Sequence, residues 1–186
     1  LRALAVGRGG DELIGVQGRS LLALGVPTAE ACRAAADELR AATEQLAARV
    51  GQVSETFQLR SRVLESAIEM HEHAGDQPCP VCATGKLNTA RVEMLRAELE
   101  REQASLNELN RARQRHADAV RAARSLVSPV PAALSSPPEP LAECVGKLRQ
   151  EWTTWAESPQ EPLALADHLL TAGTAVREAI SPVLMA

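Results

Sequence analysis

Aromatic residues are almost missing from this chain, which has one Phe, two Trp and no Tyr among 186 residues. Sandwiches and α/β cores draw much of their packing from aromatic and β-branched side chains, so the scarcity argues against both. A conventional enzyme pocket is disfavoured with them. Long apolar runs are missing too: none approaches the ~20 residues of a membrane span, and no secretory pattern opens the sequence. No membrane association and a cytoplasmic setting are therefore expected. A surplus of positive charge is also lacking, because the formal net charge is −4. The chain-wide basic field that non-specific phosphate binding requires is absent.

What is present is the composition of long helices, with Ala, Leu, Arg and Glu dominant and Pro and Gly sparse enough to leave two long uninterrupted stretches. The first starts after Gly25-Val26-Pro27, with Thr28 as N-cap and Glu30 in the first turn, and runs to about His73. The second starts at Asn88 or Thr89 and ends before Pro129 and Pro131. Between them, residues 74–87 contain Gly75, Pro78, Pro80 and Gly85 and must form a turn.

Each stretch carries one narrow apolar row. In the second, Val92, Leu95, Leu99, Leu106, Leu109, Val120 and Ala123 keep a 3-4 spacing, interrupted by Glu102, Arg113 and His116. In the first, the row is Leu39, Leu46, Val50, Val53, Phe57, Leu64 and Ile68. Folding the chain back at Pro80-Val81 pairs Ile68 with Val92, Leu64 with Leu95 and Leu99, Phe57 with Leu106, and Leu39 with Val120. It also brings Pro27 opposite Pro129. The expected fold is all-α: an antiparallel coiled-coil helical hairpin over 28–128, its tip loop at 74–87, with short flanking helices at its base. At about 1.5 Å per residue, arms of ~40 residues would reach on the order of 60 Å.

Around the hairpin, residues 1–27 read as short flanking helices and 129–140 as a Pro-rich linker. Two amphipathic helices follow in 141–186, Leu141–Glu157 and Leu163–Ile180, with Trp152 and Trp155 three apart on one face as core residues. Leu1 rather than Met opens the chain in mid-pattern, and an excerpt from a larger polypeptide is expected. Arg111, Arg113, Arg115, Arg121 and Arg124 crowd one stretch with only Asp118 among them, a feature of either a phosphate-contacting or a solvated face.

Of four cysteines, Cys32 and Cys144 stand alone in helical segments and read as small buried hydrophobes. Cys79-Pro80-Val81-Cys82 is a motif. Its spacing lets both sulfurs reach one tetrahedral Zn²⁺ at about 2.3 Å, and a structural zinc site takes four ligands. Two sources can complete the set. One is the same loop of a second copy, giving a Cys₄ site that joins two chains, with Pro78, Pro80 and Val81 at the interface. The other is local, with His71 and His73 turned back to the ion, which would close the tip of a helical protein-interaction module. A third reading, a CxxC redox sensor, is disfavoured because no strand precedes the motif as a thioredoxin-like setting needs.

Cys79-Pro80-Val81-Cys82 at the apex of a helical hairpin, led into by His71-Glu72-His73-Ala74-Gly75-Asp76, resembles the zinc-hook regions of SMC-superfamily ATPases. The likeness is to SbcC-type double-strand-break-repair proteins and related bacterial AAA ATPases, over residues 28 to 127. It implies that Cys79 and Cys82 of two molecules share one zinc and link arms whose distant ATPase heads bind DNA. Ala83 stands where such hooks often carry Gly, and Gly85 follows two residues later. Gly15 to Ser20 lacks the Lys of a phosphate loop, so this segment is expected to be non-catalytic itself.

Overall fold

The computed structural model describes residues 19, 21, 23–51, 57–135, 137 and 139–185. These residues are mostly helical, as an all-α reading requires. Helix α1 spans Ala29–Val50, α2 Phe57–Ala74, α3 Thr89–Leu126, α4 Ala142–Ala156 and α5 Pro162–Met185. Two-residue strands β1 (Gln77–Pro78) and β2 (Lys86–Leu87) lie between α2 and α3. Among the described residues, no helix is long and apolar enough to cross a membrane. The chain divides into two compact units, residues 1–43 with 117–186, and residues 44–116.

In the first of these units, Thr28 caps α1, its Oγ1 accepting from the Ala31 amide at 3.1 Å. Cys32, Ala36 and Leu39 then recur at helical spacing and are fully buried. They share one core with Ala119 and Ala123 of α3, Val145, Leu148, Trp152 and Trp155 of α4, and Leu165, Leu169 and Val176 of α5. Helix α5 opens with Pro162, whose missing N–H costs nothing at a first helical position. The Glu161 carboxylate accepts from the Leu163 and Ala164 amides just inside it, at 3.1 and 2.6 Å. Both tryptophans are core residues: the Trp152 indole N–H donates to the Ser128 carbonyl at 3.3 Å, and Trp155 stacks on His168. Residues 129–140, expected as a linker, hold two 3-10 turns and bury Leu134 in this core. Of the flanking helices expected over 1–27, residues 1–18, 20 and 22 lie outside the described residues, whereas Leu21 is buried here.

In the unit 44–116, the buried face of α2 is Ser61, Leu64 and Ile68. Leu64 and Ile68 pack with Leu87, Val92 and Leu95, and with partly buried Ala67 and Leu99. Polar contacts flank this row: Arg96 donates to Glu72 at 2.5 Å, Arg60 to Glu98, Arg49 to Glu108 at 2.8 Å and Arg115 to Gln45 at 2.7 Å. Numbers fall along one segment as they rise along the other. Glu102, expected as an interruption of the seam, is buried and satisfied, accepting from Ser61 Oγ at 2.9 Å with Arg60 Nε at 3.4 Å.

Three expectations are corrected. The first long helix does not run unbroken to His73: α1 ends at Val50 and α2 begins at Phe57. Gly51 sits in a turn after Val50, where the low helix propensity of glycine favours a stop, and Val53 lies outside the described residues. Val50 is 52% exposed rather than in the apolar row, because it is the helix's last residue and Arg49 reaches across to Glu108 instead. In α3 the buried row takes in Ala112 and Ala119, which the expected row omits; Val120 is partly buried against the same core as Ala119, and Arg113 is exposed. A three-residue step from Leu109 to Ala112 keeps the Arg113 guanidinium out of the seam.

Candidate metal centre at the cysteine turn

The turn is built by backbone chemistry at both ends. Helix α2 stops at Gly75, which takes φ +69° in the left-handed region and donates to the His71 carbonyl at 2.8 Å. Gln77 Nε2 reaches back to the Met70 carbonyl at 3.2 Å. Across the turn, Asn88 caps α3, its side chain accepting from the Arg91 amide at 3.0 Å. Between the two helices, β1 and β2 pair antiparallel, with Gln77 opposite Leu87 and Pro78 opposite Lys86. Leu87 anchors the pair in the apolar cluster beneath. The sequence reading had no strand here.

Beyond this two-rung ladder the chain makes a knuckle. The Cys79 amide donates to the Gly85 carbonyl at 2.7 Å, the Ala83 amide to the Cys79 carbonyl at 2.8 Å, and the Thr84 amide to the Cys82 carbonyl at 2.7 Å. Ala83 takes φ 57°, a left-handed conformation that residues with a Cβ rarely adopt. Gly85 lies directly against the cysteines: a Cβ there would stand 3.5 Å from Cys82 Sγ and 3.6 Å from Cys79 Cβ.

This arrangement acts on the Cys82 thiol. Donation from the Thr84 hydroxyl, then from the Gly85 backbone, the Cys79 side chain and the Thr84 backbone, lowers its pKa from 9.0 to about 7. Cys79 and Cys82 both lie against Gly85, with Cys79 half-buried and Cys82 exposed. Both cysteines are free thiols. Thiolate is the metal-binding form of cysteine, so a turn that favours it suits a metal ion. Thr84 was not singled out in the sequence; a hydroxyl two residues after a cysteine, in a Gly-containing turn, is the signal that could have found it.

The other expected site residues are distributed differently. His71 Nε2 donates to Asp76 Oδ1 at 2.9 Å, and His73 is exposed on the last turn of α2. Among the described residues, no group of three or more His, Cys, Asp and Glu side chains is placed to hold a metal ion, so neither histidine joins the cysteine pair. Pro78, Pro80 and Val81 are all exposed around the thiols. In the basic stretch, Arg121 pairs with Asp118 at 3.1 Å and Arg124 Nη2 donates to Gln160 Oε1 at 2.8 Å. No protein-family model, curated protein or solved structure matches the chain.

Proposed function

We propose that this chain is a zinc-dependent homodimerisation segment, a tether rather than a catalyst, in which α2 and α3 are the arms of an antiparallel coiled-coil hairpin and the cysteine turn is its hook. One observation carries the reading: Cys79 and Cys82 sit together in an exposed turn, one thiol already poised for ionisation, as half of a tetrahedral ligand set. The same turn of a second copy supplies the other half. His71 is engaged with Asp76, which favours this completion over an intrachain site.

Zinc would supply a tetrahedral junction between the two turns. Cys79 and Cys82 hold it, the Thr84 hydroxyl and the Thr84 and Gly85 amides stabilise thiolate sulfur, and Gly85 leaves room beside both side chains. Four thiolates on one Zn²⁺ carry a net charge of about −2, and Lys86 and Arg91 line the same groove as the cysteines to offset it. By its resemblance to zinc hooks, the segment joins two copies of an SMC-like ATPase of DNA repair or genome defence. Contact with DNA belongs to ATPase heads elsewhere in that parent.

Zinc per chain, measured together with solution mass before and after a strong chelator, tests the reading. About 0.5 zinc per chain on a dimer that dissociates on chelation is expected, with Cys79→Ser/Cys82→Ser monomeric and equally helical. About one zinc per chain on a monomer would overturn it.

A further inference from the structure

Beneath the cysteine turn lies a groove of about 450 Å³, walled by Val63 and Ala67 of α2, Leu87 of β2, Leu95 of α3 and the two cysteines themselves. Pro80 and Val81 overhang it and border a second groove that extends to Met70. The apolar surface is continuous with solvent: Val63 is 55%, Met70 41% and Val81 78% exposed. Leu59, Val63 and Met70 recur at steps of four and seven residues, which puts them on one side of α2. The row packed on α3 is another set, Ser61, Leu64 and Ile68. Among the described residues, helix α2 therefore has a second apolar face that stays open.

We infer that a second copy of this chain covers this face, each copy seating its Val81 in the groove beside Val63 and Ala67 of the other. The inference rests on the tether reading and adds the surface that surrounds the metal. Cys79 and Cys82 line the groove, so a chain that shares their metal must close over it. Knob and groove also adjoin on one surface, the condition for a two-fold contact, in which the same patch must be complementary to itself.

Charge bears on this contact as well. The charged side chains bordering the two grooves are Arg62, Lys86 and Arg91, all cationic, and a two-fold contact brings both sets together. Without an anionic centre they repel. A zinc tetrathiolate of net charge about −2 offsets part of that repulsion, so the metal-loaded turn favours the apolar contact.

The test uses the full chain loaded with zinc, comparing wild type with Val63→Arg by sedimentation equilibrium. Val63 is exposed, and unchanged helicity will show that the fold survives. A dimer dissociation constant at least about tenfold weaker than wild type is expected, the effect of one central apolar contact. In parallel, a photocrosslinking residue at Val81, in a mixture of isotope-labelled and unlabelled chains, should give adducts with Val63, Ala67 or Met70 of the other copy. If wild type is a half-zinc dimer and Val63→Arg dimerises within twofold of it, or if crosslinks stay within one chain, the covered face is refuted and the tether stands. Another protein that binds the groove of such an unaffected dimer would be its occupant instead. A wild-type monomer with a full zinc removes both ideas at once.

Discussion

Replacing Ala83 should tune metal affinity in a predictable order. Ala83 holds φ 57° while its amide closes the turn onto the Cys79 carbonyl, between the two cysteines and the Thr84 and Gly85 donors. A residue with a Cβ in that region carries about 1–2 kcal/mol of steric cost. Glycine removes it but loses ~0.5–1 kcal/mol more backbone entropy on ordering, so Ala83→Gly should favour the turn by about 0.5–1 kcal/mol. Valine is stiff at χ1 and a marked outlier at positive φ; Ala83→Val should cost about 1 kcal/mol or more relative to alanine. Glycine and valine then differ by about 2 kcal/mol, or ~30-fold in an equilibrium constant. Competition with a chromophoric chelator reads this directly as zinc affinity, because a turn already in the binding conformation has less to rearrange. Far-UV circular dichroism should be the same for all three proteins, since Ala83 is exposed and outside both cores. Affinities of Ala83→Gly and Ala83→Val within twofold of each other, or in the opposite order, would refute the claim that this left-handed residue belongs to the metal-binding conformation.

Two further outcomes are expected. In metal-free protein, alkylation of Cys82 in a Cys79→Ala background should still rise with pH below the ordinary thiol range, since Thr84 and the backbone at Thr84 and Gly85 remain. In the unaltered turn its midpoint should lie at about pH 7. Because folding lowers this pKa, the stabilisation it gives the turn is complete above pH 9.0 and lost as pH falls through about 7; a midpoint near 9 would mean that those donors are not in place. Trp152→Ala should destabilise the core shared by α4 and α5 by about 3–5 kcal/mol in urea unfolding followed by Trp155 fluorescence, and Trp152→Phe by clearly less. Equal losses would mean that the indole N–H to Ser128, not packing, dominates.

The starts of α1 and α3 and the end of α3 were legible because they depend on local chemistry, whereas the end of α1 at Val50 was not. Thr28 and Asn88 cap α1 and α3 through their side chains as their residue types imply, and proline-bearing sequence follows the end of α3 at Leu126. The seam was less legible. Alanine is common on every face of these helices, so Ala112 and Ala119 carried no weight as seam residues, and the step that brings them inward emerges only in packing. The β1–β2 ladder could not be read at all: two residues per strand are too few for alternation to register. At the site, the motif marked the two cysteines, yet the side-chain donor that acidifies Cys82 most is a threonine with no spacing rule of its own.

Glu102 shows how such a local reading can miss a long-range purpose. In the sequence it is a flaw in a hydrophobic row; in the fold its carboxylate is buried against Ser61, with Arg60 beside it. Sliding α2 by one heptad would set Ile68 where Ser61 lies and leave that carboxylate without its hydroxyl partner. A buried charge stripped of its partners costs several kcal/mol, far more than one misplaced apolar contact. The polar layer therefore selects one register more sharply than the apolar row can. Register matters here because the connection from Ala74 to Thr89 is itself paired, its two strands rising from the ends of α2 and α3. A shifted pair would pull apart the Gln77–Leu87 and Pro78–Lys86 rungs that hold the cysteine turn together. The side chain that interrupts the apolar row thus helps set the register on which the cysteine turn rests.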